Sequence, residues 1–354
     1  MFDAVTLERR AGAGPVLNAL GYLGALALGL SLSLAVLVAA GVPTGALFDE
    51  LVVQVFLSPA GLARTVTMAT PMMLGALAAA LCLRLKFWNI GIEGQLWLGA
   101  ICATAVALND LGGPLRLPLM MLAAMVGGAA WILPAAWLKI RLGVSEVIVT
   151  LLMSNMAYLL MQHLLFGPFG DPTFNFPTSP VFDPGERLAR LGWGDVNAGL
   201  ALALLAVAVA SLALGATRFG FAARFVGDNP RAARALGFPV RRVLMVSILA
   251  GGAMAGLAGG VIVAGTEFRL TQAVGLNMTF NGIVIAALAR NAPGWIPLWA
   301  LFIAGLNVAG ASLKVFYGVS EGIVLVVQGV ILLALVTGSF VTTFRLRIGR
   351  RAVA

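Results

Sequence analysis

The sequence predicts an all-α polytopic membrane protein, and three observations carry that prediction. The chain of 354 residues is 60% hydrophobic and only 10% charged, with a mean hydropathy of +1.00, a composition that a soluble single-core domain would not keep in solution. Apolar stretches of about 20 residues, each enough to cross a hydrocarbon core of about 30 Å as a helix, recur along its whole length. Short strands of alternating polarity, which a β-barrel needs, are missing from the pattern, and no third backbone arrangement satisfies its own polar groups in lipid.

About ten spans are expected, at 15–41, 62–83, 91–109, 117–138, 144–166, 198–217, 243–265, 274–290, 295–313 and 320–343. The first is too long for a removable signal peptide and lacks the small-residue cleavage pattern, so it is expected to be retained. Between the first two spans, Thr44 to Ala60 contains LFDELVVQVFL, an amphipathic stretch expected to lie along the interface. With the N-terminus inside, only Arg64, Arg116, Arg187, Arg190, Arg269 and Lys314 of the 23 basic residues fall outside, leaving seventeen inside. This asymmetry predicts an even span count with both termini cytoplasmic. Residues 1–14 are then a cytoplasmic N-terminus, 15–344 a single transmembrane domain and 345–354 a basic cytoplasmic tail. The net charge of +9 follows mostly from this topology, with attraction to anionic lipid as a by-product, so it points to no nucleic acid partner.

Several features have structural explanations. Trp88, Trp97, Trp131, Trp137, Trp193, Trp295 and Trp299 mostly lie near expected span ends, as interfacial belt residues do, with ligand stacking as the other role. Cys82 and Cys102 lie in apolar stretches as small buried residues, and His163 has no carboxylate at helical spacing, so no metal site is expected. Runs such as GALAAAL and GGAMAGLAGG suit close helix packing.

Two connections differ from the rest. The outer segment from Gly167 to Asn197 is rich in Pro, Gly, Asp and aromatics, and suits either a plain surface loop or a docking site for a soluble partner. On the inner face, within about 218–242, Asn229 is a good N-cap, Pro230 suits the first helical position, and Gly237 with Pro239 forms a stop. These predict a two-turn helix from Pro230 to Leu236 with Ala232, Ala233 and Leu236 on one arc and Arg231 and Arg234 opposite. Two turns are not stable alone in water, so this helix is expected to dock.

The most apolar part of the chain is interrupted by KFWNIGIEGQL, Lys86 to Leu96. Gly91 and Gly94 permit a backbone break or tight packing, Asn89 can cap a restarted helix, and Glu93 and Gln95 place polar groups just inside the membrane. A carboxylate in hydrocarbon costs about 2.5–3.5 kcal/mol, so Glu93 is expected to face a bundle interior, a cavity or the interface. Asn155, Asn277 and Asn281 are similar intramembrane amides, and Phe87, Trp88 and Phe280 are aromatic faces nearby. Solute contact and interhelical bonding both fit these side chains.

Taken in order, FWNIGIEGQLWLGA (Phe87 to Ala100), SEVIVTLLMSNMAYLL (Ser145 to Leu160) and GDNPRAARALGF (Gly227 to Phe238) resemble the permease subunits of bacterial ABC importers in the branched-chain amino acid and simple-sugar permease superfamily. NIGIEGQ is similar to its nucleoside and simple-sugar branch, although that branch more often has Phe where this chain has Trp88. The resemblance, from about Leu62 to Phe344, implies a multi-pass protein of the bacterial inner membrane. It implies that Gly227, Asn229, Pro230, Arg231, Ala232, Ala233, Arg234 and Gly237 belong to a coupling helix that contacts an ABC ATPase subunit. It further implies a second permease chain, identical or related, and an extracytoplasmic substrate-binding protein. Asn89, Gly91, Glu93, Gln95, Asn155, Phe280 and Asn281 are the candidate substrate pathway, with a nucleoside expected and a ribose- or galactose-like sugar as the alternative.

Other classes fit less well. The chain has no G-x-x-x-x-G-K-[ST] motif and no Gly-Lys pair, so ATP and Mg are expected on the ATPase chain, with no cofactor and no catalytic residue here. An ion-coupled secondary transporter would carry coupling carboxylates in mid-span, whereas the acids here fall largely at span ends.

Overall fold

A computed structural model describes residues 4–9 and 15–349. In chain order, β1 (Ala4–Arg9) precedes α1 (Pro15–Ala39) and α2 (Thr44–Phe48), which runs into a π-helical stretch, Asp49–Leu57. The apolar helices α3 (Pro59–Leu83), α4 (Ile92–Leu108), α5 (Arg116–Leu142), α6 (Glu146–Leu165) and α7 (Gly199–Ala216) follow. The connection between α7 and the next long helix holds α8 (Arg218–Asp228) and α9 (Pro230–Ala235). Then come α10 (Val240–Ile262), α11 (Met278–Leu288), α12 (Ile296–Tyr317), α13 (Glu321–Thr343) and β2 (Phe344–Gly349).

The architecture is helical as expected apart from the strands β1 and β2, which the all-α expectation did not include, and an apolar helix occupies each expected span. Among the described residues, six helices are long and apolar enough to cross a membrane: Pro59–Leu83, Gly113–Leu142, Glu146–Leu165, Gly199–Ala216, Val240–Glu267 and Pro293–Tyr317. Gly24–Ala39, Ile92–Leu108, Met278–Leu288 and Gly322–Gly338 are shorter apolar helices. α11 begins four residues after the expected start at 274, because Asn277 takes a left-handed conformation with φ 63° and the chain from Phe268 to Asn277 is irregular. Helix α8 has no counterpart among the expected elements. Its aromatic and glycine residues are modest helix formers, but the Thr217 hydroxyl accepts the Gly220 N–H at 3.3 Å, and Ala222, Ala223 and Val226 are buried.

The chain divides into two compact units, Met1–Ser58 with Gly305–Ala354, and Pro59–Ala304. In the first, α1 packs along α13, with the Ser33 hydroxyl donating to the Val327 carbonyl at 3.2 Å. The same unit pairs β1 with β2 in antiparallel register from Ala4 opposite Gly349 to Arg9 opposite Phe344. Nothing local in either terminal segment announces a partner more than 330 residues away in the chain.

In the second unit α10 is central and packs on α3, α4 and α5. Its GGAMAGLAGG stretch brings backbones together: a Cβ on Gly256 would run into the Ala124 carbonyl, and one on Gly259 into the Leu96 carbonyl. Below this seam Phe87 plugs a buried cluster of Cys82, Ile132, Ala135, Ala136 and Ile248.

Candidate functional site

The chain between α3 and α4 has no regular structure from Phe87 to Gly91, so its backbone donors need partners inside the protein. Helix α6 supplies them. Trp88 N–H donates to Glu146 Oε1 (3.4 Å), Ile90 N–H to Thr150 Oγ1 (3.2 Å) and Gly94 N–H to Ser154 Oγ (3.2 Å). Acceptors four residues apart form one stripe along the helix. Gly91 and Gly94 allow the approach, since a Cβ would lie 2.7 Å from the Thr150 carbonyl oxygen or 2.8 Å from Ser154 Cα. Lys139 pairs with the buried Glu146 carboxylate at 2.5 Å, which keeps that charge compensated.

Asn89 and Gln95, both 2% exposed, bond to each other. Asn89 Nδ2 donates to Gln95 Oε1 at 3.0 Å and Gln95 Nε2 donates to Asn89 Oδ1 at 2.9 Å. Asn89 Oδ1 also accepts the Gly91 N–H at 3.0 Å, so it secures the turn before α4, while Gly91 itself holds the N-cap position. These amides are a buried lock at the helix start.

Glu93 is half-buried and reaches the start of α11. Its Oε1 accepts the Thr279 N–H at 3.1 Å, while the Glu93 N–H donates to Thr279 Oγ1 at 3.0 Å. One turn along α4, Trp97 Nε1 donates to the Val274 carbonyl at 2.7 Å. The N-termini of α4 and α11 therefore converge, bringing Glu93 near Phe280, which is 57% exposed, and the buried Asn281 in the first turn of α11. Asn155 stands apart: it is exposed on α6 and its Nδ2 donates to the Leu151 carbonyl of its own helix at 3.0 Å. Phe87 is in the core, which removes it from the aromatic faces available to a solute, and Trp88 is exposed. Glu146, Thr150, Ser154 and Thr279 are absent from the expected site, although Glu, Thr and Ser at spacing four in SEVIVTLLMSN are a legible signal for partners of a broken segment.

On the connection between α7 and α10, Asn229 Oδ1 accepts the N–H groups of Arg231 and Ala232, both at 3.1 Å, with Pro230 in the first helical position. Gly237, at φ 82°, ends the helix, and the Phe238 N–H closes back on the Ala233 carbonyl at 3.0 Å. Gly227 lies against the Arg84 carbonyl, and Lys86 Nζ donates to the Asp228 carbonyl at 3.1 Å, so the connection is fastened to the base of α3. The expected common arc of Ala232, Ala233 and Leu236 is divided. Ala233 is 0% exposed and anchors α9 to its own chain, whereas Leu236 is 67% exposed and Arg231, Ala232 and Arg234 also face outward.

The long segment Gly167–Asn197 lies along the chain that leads to α11. Ser179 N–H donates to the Leu270 carbonyl (3.0 Å), Leu270 N–H to Ser179 Oγ (2.9 Å), Phe182 N–H to the Phe268 carbonyl (2.8 Å) and Leu188 N–H to the Ala264 carbonyl (2.8 Å). Arg116, at the start of α5, bridges Glu186 at 2.7 Å and Asp110 at 2.8 Å. At the tip, hydrogen bonds from the Thr173 hydroxyl and N–H hold the Asp171 carboxyl below its usual range.

Residues 61–336 match the family described as branched-chain amino acid transport system, permease component. The chain belongs to that family. It is similar to the glucose ABC transporter permease of Haloferax volcanii, at 37% identity over 313 residues covering 85% of this chain and 82% of the relative. It is similar also to the guanosine ABC transporter permease of Bacillus subtilis, 28% identical with 87% and 90% covered, and to a nucleoside ABC transporter permease of Lactococcus lactis, 29% identical with 79% and 81% covered. The matched span of this permease-family chain includes the break before α4, the α6 stripe and α9.

Proposed function

We propose that this permease-family chain forms the membrane pathway of an ATP-driven importer for a solute carrying a sugar ring, handed over by an extracytoplasmic binding protein. The carrying observation is α9: a helix too short to stand alone is anchored through Ala233 and turns Arg231, Ala232, Arg234 and Leu236 outward, the form of a docking knob for a separate ATPase chain. ATP and Mg belong to that partner. A second permease chain, identical or related, completes the pathway in the bacterial inner membrane. Ten crossings with both termini cytoplasmic fit the basic asymmetry, and the β1–β2 ribbon supports an even number, since it brings both chain ends to one side.

A free simple sugar is the first choice of solute. The similarity to a glucose permease favours it, and Phe87, one of three aromatic faces on which a base could stack, is buried. A nucleoside is the second, favoured by the exposed Phe280 beside Glu93 and by the similarity to guanosine and nucleoside permeases. Uptake of radiolabelled glucose, ribose, guanosine and uridine into vesicles holding the complete importer tests this. ATP-dependent sugar uptake is expected. Nucleoside uptake without sugar uptake selects the second solute, and uptake driven by an ion gradient without ATP overturns the importer itself.

A further inference from the structure

Beside α9 the chain forms a cleft of about 450 Å³ lined by Arg234, Pro239, Val240, Arg241 and Arg242. Three of the five lining residues carry guanidinium groups, all three are exposed, and none of the lining residues is acidic. Among the described residues none of these three arginines takes part in an ion pair. Like charges gathered around one cleft repel, and an anion among them removes that cost.

The surroundings indicate which anion. Arg241 and Arg242 lie in the first turn of the apolar helical element Val240–Glu267, whose 28 residues exceed the about 20 needed to cross hydrocarbon, so its first turn stands at headgroup level. Next to it, Phe221, Phe225 and Phe238 form a packed aromatic trio, with ring centroids 4.8–6.1 Å apart, and Phe221 and Phe225 are exposed. Phe221 and Phe225 lie on α8, which buries Ala222, Ala223 and Val226 and turns Arg218 and Arg224 outward. Aromatic rings beside arginines at the point where a helix enters the bilayer match a lipid surface, with rings toward the acyl boundary and guanidinium groups toward phosphate.

We propose that this cleft binds the phosphate of an anionic phospholipid in the leaflet that faces α9, tying the docking helix to the membrane. This goes beyond the transport function and does not depend on the solute. Acidic side chains of a protein partner are the competing occupant, and they would leave the aromatic trio without a role.

The test is native mass spectrometry of the purified full-length permease exchanged with phosphatidylglycerol and phosphatidylcholine. Preferential retention of phosphatidylglycerol is expected, falling about fivefold for each guanidinium removed in Arg234→Gln and in Arg241→Gln with Arg242→Gln. Arg141→Gln, an exposed arginine outside the cleft, should retain lipid as the parent does. The single Arg234→Gln change on exposed α9 keeps the test decisive if the double variant does not fold. Equal phosphatidylglycerol retention in the folded variants overturns the site. Full displacement by millimolar inorganic phosphate makes free phosphate the ligand and overturns the lipid assignment. Loss of the ATPase from the purified complex with unchanged lipid retention gives the cleft to a protein partner and overturns it equally.

Discussion

Glu93 and Thr279 cap each other's helices. The side chain of each accepts the backbone N–H of the other, at 3.1 and 3.0 Å, across 186 residues of sequence. Each helix start carries about half a positive charge, and here two of them meet one carboxylate. The relationship also has a mechanical side. Thr279 follows the irregular segment Phe268–Asn277, and the same segment is bonded through Phe268 and Leu270 to Phe182 and Ser179 of the Gly167–Asn197 segment. The ten residues Phe268–Asn277 thus connect the Gly167–Asn197 segment to the carboxylate at the start of α4.

The reciprocal caps should behave as one unit. Glu93→Gln keeps the acceptor geometry and is expected to retain assembly, whereas Glu93→Ala and Thr279→Ala each remove one of the two bonds. A double-mutant cycle on thermal unfolding of the purified permease should show a coupling of about 1 kcal/mol. Strictly additive losses would mean that the two bonds are independent of each other.

The α6 stripe separates neighbours that look alike in sequence. Thr150→Val leaves the Ile90 N–H unsatisfied and is expected to cost about 1–3 kcal/mol and to lower transport. Asn155→Leu removes a bond that returns to its own helix, and is expected to change stability by no more than about 0.5 kcal/mol. Comparable losses in the two variants would contradict the assignment of Thr150 as the partner of the break.

The parts of this molecule that follow local rules were legible in the sequence. Helix positions came from apolar length, and the caps of α9 came from Asn229, Pro230 and Gly237, each acting within three residues of its own position. The candidate site was legible as a polar interruption but not as a geometry. Asn89 finds Gln95 through side-chain packing, and Glu93 finds Thr279 only after α10 and α11 are placed. Asn155 and Ser154 differ by one residue, which is about 100° of helix, and that angle decides which of them meets Gly94. A helical projection groups Ala233 with Ala232 and Leu236, but it fixes relative angles and not which side faces the protein, so it does not tell that Ala233 alone is buried.

Topology can be read by labelling in a cysteine-free background. Ser179 is fully buried, so the outer reporter belongs at Phe176, which is 70% exposed, and the inner reporter at Leu236, which is 67% exposed. Phe176→Cys should react with an impermeant maleimide in intact spheroplasts, and Leu236→Cys only after the membrane is opened. Reaction of both from the same side would exclude the ten-crossing arrangement.

Coupling is tested by contrasting the two sides of α9. Ala233 has no free surface, so Ala233→Glu places a charge and four extra heavy atoms in a packed contact, at a cost of at least about 2–3 kcal/mol. Its main effect is expected on the inner connection itself, seen as lost yield and a lower unfolding temperature. Leu236→Glu changes an outward side chain, so its effect on stability is expected to stay within about 0.5 kcal/mol. If α9 seats in an ATPase groove, that variant places a carboxylate in an apolar contact between subunits, and substrate-stimulated ATP hydrolysis should fall at least about tenfold while the permease stays folded. Arg231→Ala should be milder, since an exposed rim charge contributes about 0–1 kcal/mol. Normal stimulation in Leu236→Glu, with the ATPase still bound, would place the coupling contact elsewhere on the inner face.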